Sequence, residues 1–338
     1  MSNIEPTRVA GPIIRPGIST CLLGEKVPHD CGHKLDHFLV DILGRHVEWV
    51  PVCPEVEIGL PIPREAVRLV GDPADPRLIA QVRRGLHRHH EGAWARERLE
   101  QLAALGLGGF VFKNDSPSSG MFRVRVYNEH GMAERTGTGI FPREVMKRFP
   151  LLPLEEEGRL NDLPLRENFI ERVFAYSRWT ELLKSDPTPG GLVRFHTAQK
   201  LTLMAHSPKH YTELGRLVAK AGTLPWQELS ATYGAMCMEG LALLGTRRKH
   251  VNVLQHLMGY LKKDLSGEDK QELLGLIEDY RNELVPLIVP LALLQHHLRR
   301  HPVPEWVARK GCQQVYLNPC PRVDATQPRV ALEVECEF

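Results

Sequence analysis

The chain has no cysteine pair spaced two to four residues apart, which excludes zinc knuckles, zinc ribbons and a bacterial ferredoxin run. It also lacks an apolar run long enough for a bilayer. The longest, Leu284 to Leu294, is too short and contains Pro286 and Pro290. The first residues, MSNIEPTRVAGP, lack the apolar stretch of a signal peptide. Seven cysteines is an odd number, and 338 residues can bury a core without disulfide staples. These absences point to a reducing, cytoplasmic setting with thiols available for metal or catalysis and no membrane partner. No obligate protein partner is expected. Net charge is only +2, and no repeat or low-complexity tract occurs.

Three of the seven cysteines fall within the first 53 residues: Cys21 in STCLLGEKV, Cys31 in HDCGHK and Cys53 in VPVCPEVE. Cys21 and Cys53 each follow a β-favouring run, PIIRPGIST and HVEWVPV. KLDHFLVDILGRH between those runs has helical spacing at Leu35, Phe38, Leu39 and Ile42. A long helical stretch from Pro76 to Leu105 precedes a third strand, GGFVFK, and MFRVRVYN reads as a fourth. This alternation predicts an α/β N-terminal domain with a mostly parallel sheet. In such a sheet the residues after each strand share one edge, so Cys21, Cys53 and the NDSPSSG loop after Lys113 should converge.

The pattern changes near residue 150. Residues 151–165 are acidic and proline-punctuated and read as a linker. Residues 166–317 show spacing near 3.6 throughout and predict an all-α domain, and 318–338 read as a tail. Between Gly190 and Lys263 there are ten Lys or Arg against three Glu. An anionic partner and a solvated helix face both account for that imbalance. His206 and His210, four apart, suit capping or a phosphate contact better than a shared metal, because Pro208 intervenes. Cys237 reads as a core residue, and Cys312, Cys320 and Cys336 have no assigned role.

GISTCLLGEKV, VPVCPEVEIGLPIPRE with LVGDP, and FKNDSPSSG resemble, in order, the signature blocks of the TudS-type (DUF523) desulfidases. RENFIERVFAYSRW, LVRFHTAQKLTLMAHSPKHY, HVNVLQHLMGYLKK and LVPLIVPLALLQHHLRRH resemble the DUF1722 domain often fused to them. The resemblance implies an enzyme that converts 2-thiouridine in tRNA to uridine without redox change. It implies a 4Fe–4S cluster held by three cysteines, with the substrate sulfur on the open iron. Cys21 and Cys53 match directly. Ser119 stands where many relatives carry the third cysteine, and Cys31 stands where relatives have glycine. Either Cys31 supplies the third thiolate, or His33 or Ser119 completes the set.

Hydrolysis of a C–S bond needs a general base. Glu55, two residues after Cys53, is the first candidate, and Asp30 is the reserve. Ser116 and Ser118 could bind the uracil edge or orient water. Arg194, Lys200, Lys209, Arg247, Arg248, Lys249, Lys262 and Lys263 form the set expected to contact the tRNA backbone. Two other readings follow from the same residues: an RNA-binding module with a degenerate cluster site, and a desulfidase of free thiouracil.

Overall fold

The computed structural model describes residues 13–25, 34–62, 65–80 and 90–302. Four short strands, β1 (Pro16–Ser19), β2 (Val50–Val52), β5 (Gly109–Phe112) and β8 (Leu154–Glu156), form an all-parallel sheet in the order β2-β1-β5-β8. Every residue of β1, β5 and β8 is buried, as a sheet covered on both faces requires. On one face Phe110, Phe112 and Val52 pack against α2 (His90–Leu105) through Leu99 and Leu102. Phe141 and Val145 of α3 (Ile140–Arg148) complete that layer. On the other face Ile18 and Val111 meet Leu39, Leu43 and three residues of α4 (Leu163–Ser185), namely Phe169, Val173 and Phe174.

A second sheet comprises β3 (Val67–Val70), β4 (Arg77–Ala80), β6 (Val124–Tyr127) and β7 (Ala133–Gly137), in the order β4-β3-β6-β7 and with mixed pairing. The mostly parallel α/β half is thus borne out, and MFRVRVYN supplies a half-exposed strand, β6, which lies in the second sheet. Two details differ. The stretch expected as one helix from Pro76 begins with β4, and its described helix starts at His90. KLDHFLVDILGRH forms only a π turn at Phe38–Ile42 and a 3-10 turn at Leu43–Arg45. Residues 151–165, expected as a linker, contain β8 and the start of α4.

The helical half contains α4, α5 (Pro189–His206), α6 (Pro208–Ala219), α7 (Trp226–Ala242), α8 (Arg247–Leu261), α9 (Gly267–Arg281) and α10 (Ile288–Arg300). Side-chain caps start several of them: Asp162 accepts from Leu165 N–H, Thr188 from Gly191, Ser207 from His210 and Ser266 from Asp269. Trp179 of α4 packs among Phe195, Tyr233 and Leu192, so α4 serves both cores. Among the described residues no helix is long and apolar enough to cross a membrane.

Gly17 of β1 shows how tightly the parallel sheet is packed. A Cβ there would lie 2.2 Å from the ring of Phe110, which is 1% exposed. Gly17→Ala should therefore lower unfolding stability by about 1–3 kcal/mol. Urea unfolding measures this, and an unshifted midpoint would contradict the close approach.

Candidate active site

Strands β1, β2 and β5 run in one direction, so the residues that follow them meet at one edge. Cys21 lies in a 3-10 turn, Thr20–Leu23, directly after β1. Cys53 follows β2 and starts the short helix α1, Pro54–Glu57, with Pro54 at its first position. Both cysteines are half-buried, and neither is in a disulfide. Lys113 follows β5, and its N–H donates to Ser19 Oγ at 2.9 Å, which joins the ends of β1 and β5.

The three motif loops are stitched together by hydrogen bonds. Ser118 Oγ donates to Glu55 Oε1 at 2.6 Å, and Ser116 Oγ lies 3.0 Å from Ser118 Oγ. Ser119 is buried, and its N–H donates to Ser116 Oγ at 3.2 Å. Gly139 backs this loop, where a Cβ would come within 2.9 Å of the Gly120 carbonyl. The expected convergence of Cys21, Cys53, Glu55, Ser116 and Ser118 is present. Asp30, Cys31 and His33 lie outside the described residues, as do Cys312, Cys320 and Cys336.

Sequence reasoning missed the residues that hold these groups in place. Glu57 accepts the Cys53 N–H at 3.1 Å and lies 3.0 Å from Arg98 Nε, and Arg98 also donates to the Pro51 carbonyl. Three successive carboxylates on and after β8 each serve a different partner. Glu155 pairs with Arg159 at 2.7 Å and lies 3.9 Å from Arg172 of α4. Glu156 accepts the N–H groups of Met121 and Phe122 at 2.6 and 3.0 Å. Glu157 accepts from Lys113 Nζ at 2.5 Å and from the Asn114 N–H at 2.7 Å. Lys113 Nζ also donates to the carbonyl and side-chain oxygens of Asn114, so its three protons are all engaged. The signal was the EEE run after an apolar stretch, which in isolation reads as a solvated linker.

Burial pushes the Cys21 thiol up to about 11. The Lys113 charge pulls it down, while Cys53 and Glu157 add to the rise. The parallel pairing that sets Ser19 beside Val52 brings Cys21 and Cys53 off neighbouring strand ends. They fit the first two soft donors of an iron–sulfur cluster. Among the described residues no group of three or more His, Cys, Asp or Glu is placed to hold a metal.

The basic set of the helical half is dispersed over α5, α6 and α8, and part of it is used internally. Lys249 Nζ donates to the His206 carbonyl at 2.6 Å, Arg247 donates to the Tyr280 carbonyl at 3.1 Å, and Arg194 pairs with Asp186. Lys209, Arg248, Lys262 and Lys263 are exposed, and Lys200 is half-buried. His206 is buried between Glu171 Oε2 and the Leu243 carbonyl, both at 2.6 Å. Burial opposes its charge, but those two acceptors outweigh burial and hold its pKa above the ordinary value. His210 Nδ1 bonds Ser207 Oγ at 2.7 Å, within the cap of α6.

Comparison with known proteins finds matches in two regions of the chain. The 2-thiouracil desulfurase family matches residues 17–157, and DUF1722, a family of unknown function, matches residues 200–321. The chain is 33% identical over 134 residues to the uncharacterized protein YbgA of Escherichia coli (strain K12), covering 39% of this chain and 78% of that protein. A solved structure, the [4Fe-4S]-dependent thiouracil desulfidase TudS, is 27% identical, with 46% of this chain and 97% of that chain covered and a TM-score of 0.36. The fold and the family matches define a two-part protein with a sulfur-bearing α/β half and a helical half. Residues 17–157 of the chain belong to the 2-thiouracil desulfurase family, and residues 200–321 form a DUF1722 region after them.

The charges around Cys21 make a reactivity prediction for the metal-free protein. At pH 8 a thiol near 11 is about one part in a thousand thiolate, so iodoacetamide should label Cys21 slowly. Glu157→Gln removes a negative charge that disfavours the thiolate and should speed labelling. Lys113→Met removes the opposing cation and should slow it. Peptide mass spectrometry resolves Cys21 from the other cysteines, and three equal rates would refute this electrostatic picture.

Proposed function

We propose that this protein is a cytoplasmic, iron–sulfur-dependent desulfidase that converts 2-thiouridine in tRNA to uridine. The observation that carries the reading is the meeting of Cys21, Cys53 and the Glu55–Ser118 pair at one sheet edge. Cys21, Cys53 and Cys31 would hold a 4Fe–4S cluster. The turn that carries Cys21 also holds two residues of the following segment: the Lys34 N–H donates to the Cys21 carbonyl at 3.2 Å, and the Asp36 N–H to the Leu22 carbonyl at 3.0 Å. Bound there, the cluster supplies a soft Lewis-acidic iron suited to a thiocarbonyl sulfur.

The chain's own residues supply the rest. Water adds to the thiocarbonyl carbon and Glu55 takes its proton, directly or through Ser118, with Asp30 in reserve. Ser116 and Ser118 orient that water or the uracil edge. The C–S bond breaks and sulfur leaves as hydrosulfide, so one water is consumed and no electron changes hands. The exposed cations of the Arg194, Lys200, Lys209, Arg247, Arg248, Lys249, Lys262 and Lys263 set would add affinity for the tRNA backbone. The description of the matched family, 2-thiouracil desulfurase, favours a second reading in which the free base is the substrate. Ser119 in place of a cysteine favours a third, an RNA-binding module without a working cluster, because a hydroxyl is a poor iron ligand.

Anaerobic reconstitution with iron and sulfide separates these readings. The first expects a brown protein that releases hydrosulfide from thiolated tRNA faster than from free 2-thiouracil. A faster reaction on the base supports the second, and a colourless, inactive protein supports the third. Glu55→Gln should retain iron and lose about a hundredfold or more in turnover. Cys31→Ser should lose iron, and wild-type iron content in that variant would remove Cys31 from the ligand set.

A further inference from the structure

The second sheet buries one face and exposes the other. Leu69, Leu78, Val124 and Val126 lie beneath it. Strand pairing fixes what stands on the outer face. Leu69 lies beside Val126 in the parallel β3–β6 pair, which brings Arg68 beside Arg125. Arg125 lies directly opposite Arg135 in the antiparallel β6–β7 pair. Three arginines therefore stand side by side on three adjacent strands. Tyr127 shares their face, with the Arg68 guanidinium 5.2 Å from its ring centre.

Like charges directly opposite one another destabilise an antiparallel pair. The compensation is thin: Asp115 Oδ2 lies 4.0 Å from Arg125 Nη2 and 3.7 Å from Arg135 Nη2, and all three side chains are about half exposed. Arg68 Nε is buried and has no hydrogen-bond partner among the described residues. An anion placed over the row would relieve the repulsion. Guanidinium groups suit phosphate because they can donate two parallel bonds to it, and the half-buried Tyr127, with Arg68 over its ring, adds an aromatic edge to the row. Location then identifies the polyanion. Asp115 immediately precedes Ser116, and the same loop carries Ser118 on to Glu55. Phosphates bound across this face would belong to nucleotides next to the one entering the site.

We propose that the outer face of the second sheet, through Arg68, Arg125, Arg135 and Tyr127, binds the backbone of the RNA substrate beside the catalytic loop. This rests on the RNA-substrate reading above and adds a contact surface in the α/β half. The test measures equilibrium binding of an unmodified, single-stranded RNA oligonucleotide to the full-length protein at several salt concentrations. Arg125→Gln with Arg135→Gln should weaken binding at least about tenfold and flatten the salt slope by about 1.4, the value for two lost single-strand phosphate contacts. Arg125→Lys with Arg135→Lys should keep most of the affinity. Wild-type affinity in the glutamine variant overturns the proposal, as does an equal loss in the lysine variant, which would trace the effect to folding rather than charge. Failure of the wild type to bind the oligonucleotide also overturns it. Neither a cluster nor turnover is needed, so this surface and the desulfidase chemistry can fail independently.

Discussion

Parallel pairing of β1 with β2 on one side and β5 on the other is the constraint on which the site depends. Parallel strands deliver their C-terminal ends to one edge, and each chain segment must turn there. Cys21, Cys53 and Lys113 are the residues placed at those turns. Their separation in sequence is large, yet each needs only a short strand to reach the edge. The close approach of Gly17 to Phe110 lets β1 and β5 lie at their observed spacing. A sheet so narrow has little tolerance for strand slippage, because a one-residue shift would turn each side chain to the opposite face.

Much of that edge was legible in the sequence, for a physical reason. Strands buried on both faces read as short β-branched runs, and the residues after them are the ones an open α/β sheet presents to ligand. The helical half was legible because its helices repeat an apolar period over several turns. Short elements were not. RLIA is four residues long, too short for periodicity to distinguish a strand from the start of a helix, and β3 pairing decided it. The row of Arg68, Arg125 and Arg135 was invisible for a related reason. Nothing in one strand announces the register of the next.

The acidic run after β8 is the more instructive failure. Glu155, Glu156 and Glu157 look like a solvated junction, but the first two are buried and all three are partnered. Burial of carboxylates is tolerable only because each finds a charge or a pair of N–H donors. Those partners come from three regions: α4 and the turn before it, the loop after Gly120, and the end of β5. One strand thus ties the helical half to the sulfur-bearing edge. Phe169, Val173 and Phe174 reinforce the tie, since α4 covers the parallel sheet before entering its own bundle. The two family regions are continuous in structure across the stretch that composition marks as a break.

Charge is divided between the halves in a way that composition conceals. The helical half holds the excess of Lys and Arg, but Lys249, Arg247 and Arg194 are occupied by carbonyls or carboxylates of their own domain. A cation that caps a helix or joins a turn has already used part of its capacity for a phosphate. In the α/β half the balance is closer to neutral, yet three arginines stand in a row on the outer face of the second sheet, and the half-exposed Asp115 carboxylate pairs with two of them, Arg125 and Arg135. Local underpayment of charge, rather than the count of basic residues, is the better indicator of where a polyanion belongs. By that criterion the surface beside the Ser116–Ser119 loop has a stronger claim than the longer basic stretch. The helical half then acts first as a scaffold, holding β8 and its carboxylates in place.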